Sequence, residues 1–244
     1  MNKSILKKLP TLLAVLVMVG GVQTFTSCSS DDEGGGGNSG GGGGNGGGSG
    51  TCNANFRTVT IGTQTWMAEN LNCNVEGSKC YDNDPANCTK YGRLYDWYMA
   101  MALPSNCDYS CLRQIQEKHK GICPSGWHIP TLDEWNVLKN YVESSSGCTY
   151  CDASKLKATS GWNNYMEGPS GDGNGSDEYG FSALPGGFRR NTYFQYVGES
   201  GYWWSANEIY GSNAYGWEMS NSFSSGGKYS DPPSFSFSVR CVKD

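Results

Sequence analysis

Gly126-Trp127-His128-Ile129-Pro130-Thr131-Leu132-Asp133-Glu134-Trp135 decides how this chain is read. Thr131 and Glu134 stand at the spacing where a hydroxyl and a carboxylate satisfy each other's orphan backbone N–H groups at a helix start. Trp135, Leu138 and Val142 then recur on one helical face, and Pro130 is placed to pack on Trp135 as a staple. A helix therefore begins here. Upstream, Leu94, Trp97, Tyr98 and Met101 share one face, which predicts a second helix over 93–102, ended by Pro104. Leu112 and Ile115 allow a short third helix between Cys111 and Lys118.

Outward from the helices the signals change to strand. Residues 58–61 alternate and Gly62-Thr63 follows; with Gln64-Thr65-Trp66-Met67 this reads as a hairpin. Beyond Cys151 helical periodicity disappears, and aromatic segments separated by Gly, Asn and Ser predict strands at 193–197, 202–206, 215–219 and 235–242. In the last of these Phe235, Phe237, Val239 and Cys241 face one way. Helices early and strands late define an α+β domain over residues 51–244.

The preceding residues give an address. Lys3, Lys7 and Lys8 precede an apolar run at 12–22, shorter than the roughly 20 residues a membrane-crossing helix needs, so residues 1–27 read as a signal peptide. Phe25-Thr26-Ser27-Cys28 resembles a lipobox, although a Leu is commoner where Phe25 stands, and implies acylation of Cys28 and attachment to the membrane by lipid. The acidic stretch that closes residues 28–33, Asp31-Asp32-Glu33, resembles the export tag of Bacteroidetes-type surface lipoproteins, which makes the expected location the outer membrane, facing outward. Residues 34–50 are glycine broken only by Asn38, Ser39, Asn45 and Ser49, a flexible tether on the order of 20–25 Å from end to end. The formal charge of −5 moves to about −8 once the three lysines leave, which argues against a nucleic-acid partner.

Setting Cys28 aside leaves Cys52, Cys73, Cys80, Cys88, Cys107, Cys111, Cys123, Cys148, Cys151 and Cys241, an even set that reads as structural disulfides in an oxidising compartment. Zinc is the weaker reading, because Cys148-Thr149-Tyr150-Cys151 has no second pair at finger spacing and the histidines are only His119 and His128. A redox role for that CxxC lacks the expected βαβ context. The chain holds no G-x-S-x-G, H-E-x-x-H or Walker loop. His128, just before the helix cap, reads as structural, and the neighbouring acids Asp133-Glu134 and Asp177-Glu178 do not by themselves make a glycosidase pair. Asp172, Asn174, Asp177 and Glu178 put hard oxygen ligands in a glycine-rich loop, which makes Ca²⁺ the cofactor this chemistry admits, without EF-hand spacing. Tyr202, Trp203, Trp204 and Trp217 are the candidate ligand-stacking rings, although alternation turns one of Trp203 and Trp204 inward.

Several ordered motifs carry a family resemblance. Val59-Thr-Ile-Gly62, Gln64-Thr-Trp-Met-Ala-Glu-Asn-Leu71, Tyr91-Gly-Arg-Leu-Tyr95, Cys123-Pro-Ser-Gly-Trp-His-Ile-Pro130, Tyr179-Gly-Phe-Ser-Ala-Leu-Pro-Gly-Gly187, Tyr202-Trp-Trp-Ser205 and Ser238-Val-Arg-Cys241 resemble the Fibrobacter succinogenes major paralogous domain over nearly all of residues 54–244. That family is similar in turn to the formylglycine-generating enzymes and to C-type-lectin-like domains. The resemblance implies two main helices on a twisted antiparallel sheet, disulfide-rich, with any binding surface on long loops. Formylglycine-generating enzymes use two reactive cysteines late in the domain, whereas here Cys241 stands alone after Cys151 and is better placed for a bridge to Cys123. Cys80–Cys88, Cys107–Cys111, Cys148–Cys151 and Cys52–Cys73 complete one proximity-based pairing among the many that ten cysteines allow. A fold does not bring an activity with it. The functional expectation is a surface-anchored, non-enzymatic binding or adhesion module for a glycan or a surface protein. The alternatives are an enzyme of the formylglycine-generating fold with unrecognised chemistry, or a purely structural envelope protein.

Overall fold

The computed structural model describes residues 56–107, 112–166, 171–209 and 212–244. The residues read as signal peptide, lipidation site, export tag and tether (1–50) lie outside the described residues, as do Cys52 and Cys111. Strands β1 (Thr58–Ile61) and β2 (Gln64–Met67) form the expected hairpin, with Ile61 opposite Gln64. They join β11 (Val242–Lys243) and β4 (Trp127–His128) in an antiparallel sheet of order β1-β2-β11-β4. A second sheet runs β3-β10-β5-β7-β8-β9, with β6 paired on β5. Its strands are β3 (Tyr95–Asp96), β5 (Gly186–Arg190), β6 (Tyr193–Val197), β7 (Ser200–Ile209), β8 (Asn213–Ser220), β9 (Gly227–Asp231) and β10 (Ser236–Phe237). All its pairings are antiparallel except β5 with β7, which run parallel through Gly187 and Gly201.

The capped helix forms as read. It spans Leu132–Ser146, Glu134 N donates to Thr131 Oγ1 at 3.2 Å, Thr131 N donates to Glu134 Oε2 at 2.8 Å, and Gly147 closes the end with φ 64°. The expected helix over 93–102 does not form. Leu94 and Lys79 exchange backbone hydrogen bonds, Tyr95–Asp96 pair with β10, and only Trp97–Ala100 turns helical once the Asp96 carboxylate accepts from Met99 N. Sheet partners claim the backbone that helix periodicity promised, an override of local propensity by tertiary pairing. Of the short helix allowed between Cys111 and Lys118, Leu112 is helical and residues 113–118 are turns and loop, while Cys111 lies outside the described residues. Two helices had no periodicity to announce them. Pro85–Tyr91 starts from an Asp84 cap with proline at its first position, a start signal in its own right, and Asp152–Leu156 follows Cys151. The Leu132–Ser146 helix is thus the one long helix among the described residues, where two main helices were expected.

Residues 235–243 do not behave as one strand with a single buried face. They break into β10 and β11, and Ser236, Ser238 and Arg240 are buried as thoroughly as Phe237, Val239 and Cys241. The reason is that this segment runs between two cores. Phe237, Val239 and Cys241 join Trp97, Trp204 and Tyr202 in one. Val242 joins Trp66, Trp135, Trp203 and Trp217 in the other. Strand β7 is divided in the same way, so Trp203 and Trp204 are both fully buried, on opposite faces.

Three disulfides have both partners among the described residues: Cys80–Cys88, Cys123–Cys241 and Cys148–Cys151, with Cα separations of 4.8, 6.0 and 6.1 Å. Cys73 and Cys107 are also disulfide-bonded. The Cys123–Cys241 bridge closes a loop of 118 residues and fastens the start of the Trp127-His128 strand to the segment between the cores.

Candidate functional site

A cleft of about 310 Å³ opens beside the β1–β2 hairpin, and its wall is built from the segments that carry the family motifs, among them Met67, Glu69, Asn70, Tyr91, Gly92 and Ser182. Asn70 organises its floor. Its Oδ1 accepts from Trp203 Nε1 at 2.8 Å and from Arg240 Nε and Nη2 at 3.1 and 2.8 Å. Its Nδ2 donates to the Tyr91 carbonyl at 2.8 Å and to Ser238 Oγ at 3.3 Å. Arg240, fully buried, also donates to the carbonyls of Phe181 and Ser182 and lies 4.3 Å from the Phe181 ring centre. Burial holds its guanidinium below the usual arginine range. Gly92 belongs in this wall because φ is 78° and a Cβ there would meet Asn70 Cβ at 2.8 Å and the Leu71 carbonyl at 2.9 Å.

At the mouth the side chains are charged. Arg57 and Glu69 face each other at 3.9 Å, Arg57 N donates to Glu69 Oε1 at 3.1 Å, and Lys90 lies 4.7 Å from the Tyr91 ring centre. Glu69 is the one acid among the described lining residues. The floor's hydrogen-bonding capacity is spent on the fold, and what remains is a polar-rimmed recess able to recognise a small group. Sequence reasoning missed Asn70 and Arg240 as site residues. The available signal was chemical: a guanidinium at Arg240 between apolar residues of the last motif needs a polar partner if it is buried.

His128 is structural in the described residues. Its Nε2 bonds Glu134 Oε1 and its Nδ1 bonds Asp244 Oδ1, each at 2.8 Å, with the side chain 1 % exposed. Burial pushes the imidazole pKa down, but the hydrogen bonds and charges of the two carboxylates outweigh it and the net shift is upward. Glu134 moves the other way: burial raises it, and His128 together with the Thr131 donors brings it below the usual carboxylate range. Both ring nitrogens are engaged by carboxylates, which clamps the imidazole between the helix start and residue 244.

The aromatic residues expected to stack on a ligand are core instead. Trp203 and Trp204 have no exposure, Trp217 has 3 % and Tyr202 has 5 %. Trp217 stacks on Trp135 with ring centres 5.7 Å apart, Trp204 stacks on Phe237 at 4.0 Å, and Trp204 Nε1 donates to the Tyr95 carbonyl. A strand buried on both faces has no solvent side to offer a sugar. The exposed rings among the described residues are Tyr193 and Tyr196 of β6, at 71 % and 47 %, with Tyr141 on the long helix and Tyr150, Tyr165 and Phe223 elsewhere.

The acidic loop does not converge on a point either. Asp172 Oδ1 accepts from the backbone and side chain of Asn174, Asn174 Oδ1 accepts from Trp162 N, Asp177 accepts from Ser182 N and Oγ, and Glu178 pairs with Lys155. These oxygens are engaged by donors within the loop and on neighbouring segments, and no cluster of three His, Cys, Asp or Glu side chains that could hold a metal is found among the described residues. Cys241 is bonded to Cys123 in the core, the bridge favoured over a reactive thiol.

The chain is thus an α+β domain with two sheets, few helices and several disulfides. Residues 59–243 match the Fibrobacter succinogenes major domain, and the protein belongs to that family. No curated protein and no solved structure matches it.

Proposed function

We propose that the protein is a lipid-anchored outer-membrane lipoprotein, displayed outward on its glycine tether, whose domain is a non-enzymatic binding module for a glycan or a surface protein. In this reading the domain is a relative of the C-type-lectin-like and formylglycine-generating folds. The observation that carries the proposal is the division of labour around the cleft. The buried polar groups, Asn70, Ser238 and Arg240, are satisfied by one another and by backbone, so they fix shape. The charged groups are at the rim, where they meet solvent and a ligand. A rigid, saturated floor beneath a polar rim suits recognition; turnover needs a group with unspent acid or base capacity.

Two measurements test the proposal. A lipoprotein-peptidase inhibitor is expected to make the precursor accumulate, and unchanged processing overturns the anchor. The purified chain applied to glycan arrays and to intact cells is expected to be retained on one of them, and absence of retention on both overturns the binding module.

A further inference from the structure

The bridge in Cys148-Thr149-Tyr150-Cys151 differs in its setting from the other two whose partners are both described. In each of those at least one cysteine is buried: Cys88, Cys123 and Cys241 are at most 6 % exposed. Cys148 and Cys151 are both partly exposed, and neither belongs to either hydrophobic core. The two are three residues apart, against eight for Cys80–Cys88 and 118 for Cys123–Cys241, so their bridge closes the shortest loop and restrains the unfolded chain least.

The corner that this bridge spans, from the end of the Leu132–Ser146 helix to the start of Asp152–Leu156, is fastened without it. Asp152, fully buried, accepts from Lys139 Nζ at 3.1 Å, from Ser225 Oγ at 2.7 Å and from Gly226 N at 3.1 Å. Glu143 Oε1 accepts from Tyr150 N, and Ser224 Oγ donates to the Tyr150 carbonyl, each at 2.7 Å. None of these bonds passes through a sulfur. Tyr150 itself stands at φ 58°, a left-handed state that a bulky side chain adopts only at a cost. The bridge supplies the covalent part of the restraint that keeps it there, and exposed or strained bridges are the more easily reduced ones. Cys148 also lines a surface recess with Glu143, Ser144 and Thr149, which gives an attacking thiolate a path to it.

We infer that Cys148–Cys151 is a thiol–disulfide exchange site, a surface bridge that takes two electrons from a dithiol while the domain stays folded. One thiolate of the dithiol attacks Cys148 Sγ, the Cys148–Cys151 bond breaks, and Cys151 leaves as a thiolate that takes up a proton. The second thiol of the dithiol, once deprotonated, attacks the mixed disulfide, and Cys148 leaves and is protonated in turn. The dithiol ends as a disulfide and the two cysteines as thiols. The turn lies between two helices rather than in a βαβ unit, so this is a stoichiometric exchange and not the turnover of an oxidoreductase.

The test is a titration of the full chain with dithiothreitol. Thiols are trapped with iodoacetamide and located by peptide mass spectrometry, and circular dichroism is followed in parallel. Cys148 and Cys151 are expected to be alkylated together, with an unchanged spectrum, at a dithiothreitol concentration at least about tenfold below the one that opens Cys80–Cys88 or Cys123–Cys241. C148S/C151S is expected to fold and to melt closer to wild type than C123A/C241A does. Opening of Cys148–Cys151 only together with the other bridges, or only with loss of the folded spectrum, overturns the inference. A C148S/C151S chain that does not fold overturns it as well, because the corner would then depend on the bridge.

Discussion

Replacing Asn70 with alanine removes the acceptor at which three buried donors meet. Two of them belong to Arg240 and one to Trp203. A hydrogen bond to a charged group is worth about 1.5–3 kcal/mol and a neutral one about 1 kcal/mol, while breaking a buried charged pairing costs about 3–5 kcal/mol. Arg240 keeps its bonds to the Phe181 and Ser182 carbonyls, so its charge is not wholly stranded. We therefore expect N70A to lose about 4 kcal/mol. For a domain of this size that corresponds to a fall in Tm of roughly 8–16 °C. N70D, which restores an acceptor for both partners but cannot donate to Tyr91 and Ser238, is expected to lose about half as much, as two donations of about 1 kcal/mol each disappear. The assay is urea denaturation followed by tryptophan fluorescence, with the m-value checked for constancy. The N70A/R240M double variant adds a second criterion: removing both partners is expected to cost less than the two single losses combined, with a coupling of at least about 1.5 kcal/mol. A loss below about 1 kcal/mol for N70A, or simple additivity in the cycle, would refute the view that Asn70 is the acceptor on which Arg240 and Trp203 depend.

Three further outcomes are expected. His128 has a folded-state pKa above its ordinary 6.5, so its contribution is fully present below that value and disappears as pH rises through the folded pKa. Melting from pH 6 to 9 is expected to show a decline that H128N lacks, and parallel curves would count against the carboxylate clamp. Lys157 is buried beneath Trp162 with its amine on the Ser220 carbonyl, and burial lowers its pKa to about 8. The unfolded chain therefore binds more protons between about 8 and 10.5, and stability there is expected to rise with pH in wild type relative to K157M. Removing the Cys123–Cys241 bridge as C123A/C241A is expected to cost about 4–5 kcal/mol, because the loop it closes is long. Denaturation under non-reducing conditions measures it, and a loss under about 1 kcal/mol would mean that the core alone holds residue 241 in place.

The elements that could be read in the chain were those whose signals are local. Thr131 and Glu134 announce a helix within four residues, and Gly62-Thr63 announces a turn within two, so both appear where expected. Residues 93–102 failed because their backbone is claimed by Lys79 and by β10, partners distant in sequence. The alternation in 235–242 was real, yet its meaning was not available. Period two says that odd and even residues part, but not that both sides are interior. The same ambiguity misplaced the candidate stacking rings: Trp203 and Trp204 looked like a half-exposed pair, and β7 turned out to be the divider between two cores. Asn70 and Arg240 lie 170 residues apart, and no spacing rule connects them.

The fate of the aromatic residues follows from what an indole demands. All eight tryptophans, from Trp66 to Trp217, are at most 9 % exposed. In a chain with few large aliphatics they supply the core volume, and each brings an N–H that needs an acceptor once water is gone. Trp97 donates to the Ser205 carbonyl, Trp162 to the Ala183 carbonyl, Trp203 to Asn70 and Trp204 to the Tyr95 carbonyl. Those bonds fix the strands against one another, so a tryptophan of this domain cannot turn outward without unpairing the sheet. Trp135 is the exception, its Nε1 buried without a partner between Trp66 and Trp217. W135F should lose packing area yet shed an unsatisfied donor, and with these terms opposed its net cost is expected to stay below about 2 kcal/mol, well short of the 3–5 kcal/mol of a tryptophan-to-alanine change in a core. Tyrosine carries no such constraint at the β6 edge, where Tyr193 and Tyr196 stand exposed and their hydroxyls need no partner from the fold.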